Sequence, residues 1–448
     1  MIEKNQEFTV LIEGYGSEGQ GVARVNGFVV FVKNALIGEI VKIHIIKVTK
    51  SYAVGKLIEV VKGSKERAIP PCRVYGKCGG CALQHATYDN SLEIKRIIIE
   101  DAFKKIAKIN IDIPKIIASD KVYGYRNKGA FPLVVSDGKL CVAMFKTMSH
   151  TPVFVDNCLI SSDKINKCAK IFTSFVNNYD KDILKTGYKY LVVREIENKV
   201  LCCIVSESII PNSNSLFDIL KKELGLSSEE LGLVWCKKAK DNNVILEGKV
   251  TKIEGINKIT TNILGIDVDI SIMSFFQVNL KVMEKIYNEV LKNIEASDIV
   301  IDAYSGAGLL SALISKTAKH VFGIEIVKDA TNDANELKSR NNIKNLTNIN
   351  ADVAVELIKL ADNYKNNFAL VLDPPRKGVD KKVIETTLNC RPKKIIYVSC
   401  SPASLARDVG LLCENGEYEL ESVKGFDMFP WTYHVETVAV LKKGNKVW

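Results

Sequence analysis

The chain has 448 residues, 47% hydrophobic and 25% charged, ordinary values for a globular protein long enough for several cores. This composition excludes disorder, a collagen repeat or a coiled coil as the main class, and no run reaches the ~18 apolar residues of a membrane helix. Lys and Arg number 62 against 52 Asp and Glu, and the net charge of +10 suits a polyanionic partner such as nucleic acid. Met1-Ile2-Glu3-Lys4-Asn5-Gln6-Glu7 has no apolar signal core, so a soluble, cytoplasmic protein without a membrane partner is expected.

The first 60 residues read as short β-strands. Phe8–Glu13, Gly27–Val32, Ile40–Ile46 and Ala53–Val61 are rich in β-branched residues and broken by glycines. They predict a small barrel over 1–62 with a basic rim of Lys33, Lys42, Lys47, Lys50 and Lys56, the size of an RNA-binding module. A helical spacing of apolar residues follows over Leu92–Ile106, and from about 112 to 270 the pattern is mostly strand. Tyr190–Ile196 and Val200–Val205 flank Glu197-Asn198-Lys199 and predict a hairpin. A central, mostly-β domain over 63–275 is expected. From about 280 helices alternate with apolar strands, at 299–304, 320–326, 368–373, 394–400 and 435–441. That rhythm predicts an α/β domain over 276–448 with an open, mostly parallel, Rossmann-like sheet.

The turn Asp302-Ala-Tyr-Ser-Gly-Ala-Gly308 follows a strand and opens a helix, with Ser311 where a dinucleotide fingerprint has its third glycine. Glu325 ends the next strand, where a carboxylate accepts both ribose hydroxyls, and the pair fits S-adenosylmethionine. Asp373-Pro374-Pro375-Arg376-Lys377-Gly378 follows another apolar strand, and its prolines stiffen a loop that holds a carboxylate at the sheet edge. Cys400 ends the strand after that. A thiolate there could add to carbon 6 of a uracil and make carbon 5 nucleophilic toward a methyl donor, with Arg376 or Arg407 supplying positive charge. The carbon-5 proton must then leave to a base, either Glu436 or His434.

Cys72-x5-Cys78-x2-Cys81 is a ligand set short of one member, and Cys158 is the fourth chosen. Four thiolates hold zinc or an iron–sulfur cluster, and the spacing leaves both open.

These motifs together resemble the bacterial 23S ribosomal RNA (uracil-5-)-methyltransferases over essentially the whole chain. Gly19-Gln-Gly-Val-Ala-Arg24 with Gly38-Glu39 is similar to their TRAM domain, and Phe275-Phe276-Gln277-Val278-Asn279 to their methyl-donor segment. The resemblance implies a TRAM barrel, a central domain with a [4Fe-4S] cluster on Cys72, Cys78, Cys81 and Cys158, and a C-terminal S-adenosylmethionine-dependent domain. It implies that Gln277, Tyr304, Glu325, Asp352 and Asp373 contact the cofactor, that Cys400 is the nucleophile and that Glu436 takes the proton. Ser401 stands where the family usually has Asn, and Ser305 where it often has Cys. The implied partner is 23S ribosomal RNA, with no obligate protein partner and a monomeric state. A transfer RNA uracil-5-methyltransferase, or a ribosome-assembly factor that binds RNA without catalysis, are the alternatives.

Overall fold

The structure, a computed structural model, describes residues 2–238, 242, 244–365, 367–414 and 416–444. The chain divides into two compact units. One holds 1–71, 82–119 and 281–448; the other holds 72–81 and 120–280. No helix among the described residues is long and apolar enough to cross a membrane.

In the first unit, strands Glu7–Leu11, Gly14–Tyr15, Gly21–Val25, Phe28–Val32, Ile40–Val48 and Ala53–Lys62 form a six-stranded sheet. Alternate residues point inward, and Val10, Ile12, Ala23, Val30, Val41 and Ile43 form its core. Glu39 is fully buried beside it. Its carboxylate accepts from the Arg67 guanidinium at 2.6 Å and from the Leu36 amide at 2.9 Å, so the pair ties the last strand's exit to the sheet.

The same unit carries a seven-stranded sheet. Its strands are β1 (Ile299–Ala303), β2 (His320–Glu325), β3 (Leu346–Asn350), β4 (Ala369–Leu372), β5 (Lys394–Ser399), β6 (Tyr418–Phe426) and β7 (Glu436–Lys443). Their order is β3-β2-β1-β4-β5-β7-β6. The first five are parallel and β7 is antiparallel to both its neighbours. β2 and β4 lie on opposite sides of β1, so the order reverses there and a crevice opens at the carboxyl ends, the ligand position in such sheets. β1, β4 and β5 are almost wholly buried, as apolar strands covered on both faces must be. Edge strands β3 and β6 were not foreseen. Leu346-Thr-Asn-Ile-Asn350 and Tyr418-Glu-Leu-Glu421 carry the polar side chains of sheet edges and lack an apolar run.

In the second unit strands predominate, and helices cover them. Seven of its strands, running from Lys128–Ser136 to Val250–Gly255, form a mixed sheet with Lys199–Ser206 parallel to Leu231–Lys237, and Lys258–Ile263 pairs with Ile266–Ser271 in a separate hairpin. Helices Asp163–Tyr179 and Ser213–Leu224 cover one face. The first was not foreseen, although Ser162 caps it and Ile165, Cys168, Ala169, Phe172 and Val176 recur at helical spacing and are buried. The predicted hairpin is present. Tyr188–Ile196 pairs with Lys199–Ser206 around Glu197 and Asn198, both at positive φ, the two-residue turn that matches strand twist.

Candidate active site

The glycine turn after β1 is built for close approach. A Cβ on Gly308, at φ +81, would lie 2.7 Å from the Cβ of Ala334, so only glycine lets this turn meet the helix Lys328–Arg340. Ser311, in place of a third glycine, donates its hydroxyl to the fully buried Asp302. Tyr304 holds a positive φ of 68° at the strand tip, the kind of backbone outlier that clusters at ligand sites. The Glu325 carboxylate accepts from the Gly306 amide at 3.0 Å and the Val327 amide at 2.8 Å, which aims it at the turn. Burial, with Asp373 and Glu325 as negative neighbours, pushes Asp302 up to about 7.

Cys400 and Glu436 meet through strand register. Ser399 on β5 pairs with Thr437 on β7, and the Thr437 hydroxyl donates to the Ser399 carbonyl at 2.9 Å. The next residue along β5 is Cys400 and the preceding one on β7 is Glu436. Burial pushes the Cys400 thiol up; the negative field of Glu436 and Asp373 adds to this, and Arg376 opposes it. Glu436 is buried and is pushed up to about 8 by burial and by Asp373, again opposed by Arg376. Burial alone takes Asp373 to about 7. Three ionisable groups and one guanidinium therefore share this edge, with the carboxyl groups poised near neutrality.

Arg376, not Arg407, is the cation of the site. Arg407 is turned away: it donates to Asp408 at 2.8 Å and to the Lys377 carbonyl at 3.0 Å. Buried Asp408 also accepts from the Val379 amide and the Tyr397 hydroxyl, and Ser404 donates to the Arg376 carbonyl. Helix Pro402–Cys413 thus grips the Asp373–Gly378 loop. Gly378, at φ +80, leaves no space for a side chain against Asp408 and Arg407. Ser401 caps that helix by accepting from the Ser404 amide, a task Asn could equally perform.

His434 is committed to Arg376, with Nδ1 at 2.9 Å from the guanidinium. Its segment is held by the buried ion pair of Lys95 with Asp427; Lys95 also donates to the Phe429 carbonyl at 3.0 Å, and Tyr88 to Asp427 at 2.7 Å. Asp352 caps the helix Val353–Tyr364, accepting from the Val355 amide, and its charge reaches Tyr304. Gln277 belongs to the second unit, where its carbonyl accepts from Asn127. Tyr287, on helix Leu280–Leu291, was missed. Burial and then Asp373, Asp302 and Glu436 raise its hydroxyl, so it faces the same acids. Its only sequence signal was its place in an amphipathic helix.

In the second unit, Cys78 lies within electrostatic reach of both Cys158 and Cys72, and Tyr123 feels both Cys72 and Cys81. None of the four is in a disulfide and all four are partly exposed, whereas Cys168, Cys202, Cys203 and Cys236 are buried. The Gly80 amide donates to Cys78 Sγ at 3.3 Å, and Asn166 holds the Cys158 backbone from both sides. The donor chemistry fits a thiolate-bound metal group. Among the described residues, however, no three His, Cys, Asp or Glu side chains are drawn into a metal-binding set.

The sheet order, the glycine turn and the acidic end of β2 define an S-adenosylmethionine-dependent methyltransferase fold. The chain belongs to the tRNA (uracil-5-)-methyltransferase family, whose profile matches residues 87–444, with a TRAM domain matched over 3–58. It is accordingly an RNA methyltransferase of the uracil-5 type. An uncharacterized RNA methyltransferase of Clostridium tetani is 33% identical, covering 98% of this chain and 97% of the relative. One of Listeria innocua is 35% identical, covering 98% of each chain. The crystal structure of Pyrococcus abyssi tRNA (uracil-54, C5)-methyltransferase with S-adenosyl-L-homocysteine has the same fold. Its TM-score is 0.75 at 23% identity, over 97% of this chain and 100% of that one.

Proposed function

We propose that the protein methylates carbon 5 of a uridine in 23S ribosomal RNA through a covalent cysteine–uracil intermediate. The observation that carries this reading is the meeting of Cys400, Glu436, Asp373 and Arg376 at one sheet edge. Arg376 favours the Cys400 thiolate, which adds to uracil carbon 6 and leaves an enolate with a nucleophilic carbon 5. Carbon 5 takes the methyl group of S-adenosylmethionine, releasing S-adenosylhomocysteine. Glu436 then accepts the carbon-5 proton, and the electron pair of that C–H bond restores the ring double bond as the Cys400 thiolate departs. A base whose conjugate acid lies near 8 is suited to a proton transfer close to neutral pH. His434 is the weaker candidate for the base, because its Nδ1 faces Arg376. Tyr304, Glu325, Asp352 and Asp373 are assigned to the methyl donor, and Gln277 joins them on its motif alone.

Cys72, Cys78, Cys81 and Cys158 would hold a [4Fe-4S] cluster, which supplies structural cross-linking to the central domain over 63–275. None of the steps above needs an electron. The TRAM domain and the four cysteines favour ribosomal over transfer RNA, from the resemblance of the chain. The transfer RNA reading is favoured by the family's name and by the Pyrococcus abyssi neighbour. Incubation with labelled S-adenosylmethionine and either 23S or transfer RNA, followed by nucleoside mass spectrometry with position mapping, decides between them. Label in 5-methyluridine of 23S RNA alone supports the proposal, and label in transfer RNA alone overturns its substrate.

A further inference from the structure

The second unit sets two cations side by side with no anion, one fully buried and one half-buried. Arg194, on strand Tyr188–Ile196, is fully buried and stands directly opposite Lys128 in the antiparallel pairing with strand Lys128–Ser136. Like charges directly opposite on a sheet repel. In a low-dielectric setting, that repulsion adds to the cost of desolvating each ion. Neither side chain has a carboxylate partner among the described residues, where a buried arginine or lysine is ordinarily paired.

What both touch instead is one segment of chain. Arg194 Nη2 donates to the Ser274 carbonyl at 2.7 Å, while its Nε and Nη1 are buried without partners. Lys128 reaches the Ile272 carbonyl at a long 3.4 Å. Next to Lys128, Asn127 grips the Gln277 carbonyl at 2.9 Å, and Arg126 carries a further buried, unpartnered Nε. Carbonyl oxygens offer only a partial charge, so they compensate two full cations poorly. Burial and the field of Arg194 draw Lys128 down to about 8, and burial draws Arg194 to about 10. Residues 272–279 carry neither helix nor strand, and Phe275 at their crest is 86% exposed. The two cations thus lie beside a strap of irregular chain that they and Asn127 hold by its backbone carbonyls.

We propose that Arg194 and Lys128 form a binding site for one backbone phosphate of the substrate RNA, covered by residues 272–279 until the RNA engages. A phosphodiester brings one full negative charge and two acceptor oxygens; on displacing the Ser274 carbonyl it takes the Nε and Nη2 side of the Arg194 guanidinium, with Lys128 beside it. Its arrival removes the cross-strand repulsion and replaces the carbonyls, releasing the strap that carries Gln277. The choice of RNA rests on the uracil-5 methylation reading; the anion site does not.

The test uses the full chain and the substitutions Arg194→Met and Lys128→Met, which keep bulk and remove charge. Each variant is expected to melt no lower than the wild type, because one of two cations facing each other without an anion has been removed. Each is expected to bind substrate RNA roughly tenfold more weakly, with the slope of log affinity against log salt reduced by about 0.7, one phosphate on a single strand. Inorganic phosphate at constant ionic strength is expected to raise the melting temperature of the wild type but not of Arg194→Met. Wild-type affinity and salt slope in a folded Arg194→Met variant overturn the proposal. If Arg194→Met unfolds, Lys128→Met carries the same measurement. A wild type stabilised by phosphate but without affinity for RNA would retain the anion site and refute RNA as its ligand.

Discussion

Cys400 and Glu436 extend from two neighbouring strands at positions fixed by the Ser399–Thr437 pair, so one hydrogen-bonded register sets the distance between thiol and carboxyl. The Glu436 charge disfavours ionisation of the thiol, Asp373 disfavours that of both groups, and the Arg376 guanidinium counters this for both. The division of labour follows. The thiol must leave its proton before it attacks, and the carboxyl must be ionised before it accepts one.

Replacing Cys400 with Ala is expected to abolish methyl transfer while leaving S-adenosylmethionine affinity within about twofold. The glycine turn and Glu325 belong to β1 and β2, and Cys400 follows β5, two strands from β1. Equilibrium binding of the methyl donor alongside a single-turnover assay checks both halves. Residual turnover within tenfold of the wild type would remove the covalent mechanism.

Glu436→Gln is expected to trap the RNA–protein adduct, because methyl transfer proceeds and loss of the carbon-5 proton does not. A denaturing gel with labelled RNA shows this as a slow, persistent band. The same variant tests the charge argument. Glu436 titrates near 8 in the folded protein against an ordinary value near 4.5, so the folded state holds an extra proton between those values. Its contribution is fully present below about 4.5 and is lost as the pH rises through 8. The neutral amide should therefore raise the melting temperature by at least about 2 °C at pH 9 and leave it little changed at pH 5. In the wild type, turnover should climb as the pH rises through about 8, where Glu436 ionises, and go on rising as the raised Cys400 thiol ionises. A flat profile would count against both assignments.

Much of this site was legible before any coordinates. The apolar runs that became β1, β4 and β5 are buried on both faces, and such strands declare themselves by composition. The residues that follow them, Tyr304, Asp373 and Cys400, were therefore placed at one edge by counting. What escaped were contacts that depend on side-chain direction. Arg376 and Arg407 were equal candidates in sequence, and only the grip of Asp408 on Arg407 separates them. Helix Asp163–Tyr179 was missed because β-rich neighbours outweighed a clear helical period. The buried Lys95–Asp427 pair joins residues far apart in the chain, and neither carries a local sign of burial.

That pair supports its own prediction. Lys95→Met leaves Asp427 buried with Tyr88 as its remaining side-chain partner, and breaking one side of a buried pair costs about 3–5 kcal/mol. Because Lys95 also holds the Phe429 carbonyl, the loop leading to His434 and Glu436 should loosen. Urea denaturation measures the loss, and reduced methyl transfer at a temperature where the variant is folded measures the loosening. The double variant Lys95→Met/Asp427→Leu should recover part of the stability, since it removes both charges.

For the four cysteines, anaerobically purified protein is expected to be brown and to contain about four irons per chain, the stoichiometry of a four-iron cluster. Cys78→Ser should lower the iron content and destabilise the second unit, because Cys78 feels both Cys72 and Cys158. Metal analysis showing zinc without iron would replace the cluster by a zinc site on the same thiolates.

The last prediction concerns the barrel. Deleting residues 1–62 would not isolate an RNA-binding role, because the sheet shares a core with the catalytic unit. Tyr15 and Leu36 pack with Leu83, Ile94 and Ile98, and Tyr433 lies against the same cluster. A side chain at Gly19 would press on Leu83 and Tyr433. Truncation would therefore disturb the segment bearing His434 as well as any hold on RNA. Charge removal is cleaner. Lys47, Lys50 and Lys56 are exposed, whereas Lys42 is paired with Glu7 at 2.8 Å. Replacing the first three with Ala should weaken RNA binding and reduce the salt slope by up to about 2, roughly 0.7 for each phosphate no longer neutralised. S-adenosylmethionine affinity and melting temperature should stay unchanged, since exposed lysines contribute little to stability. An unaltered salt slope in the triple variant would show that the basic rim is an ordinary solvated face and that RNA is held elsewhere.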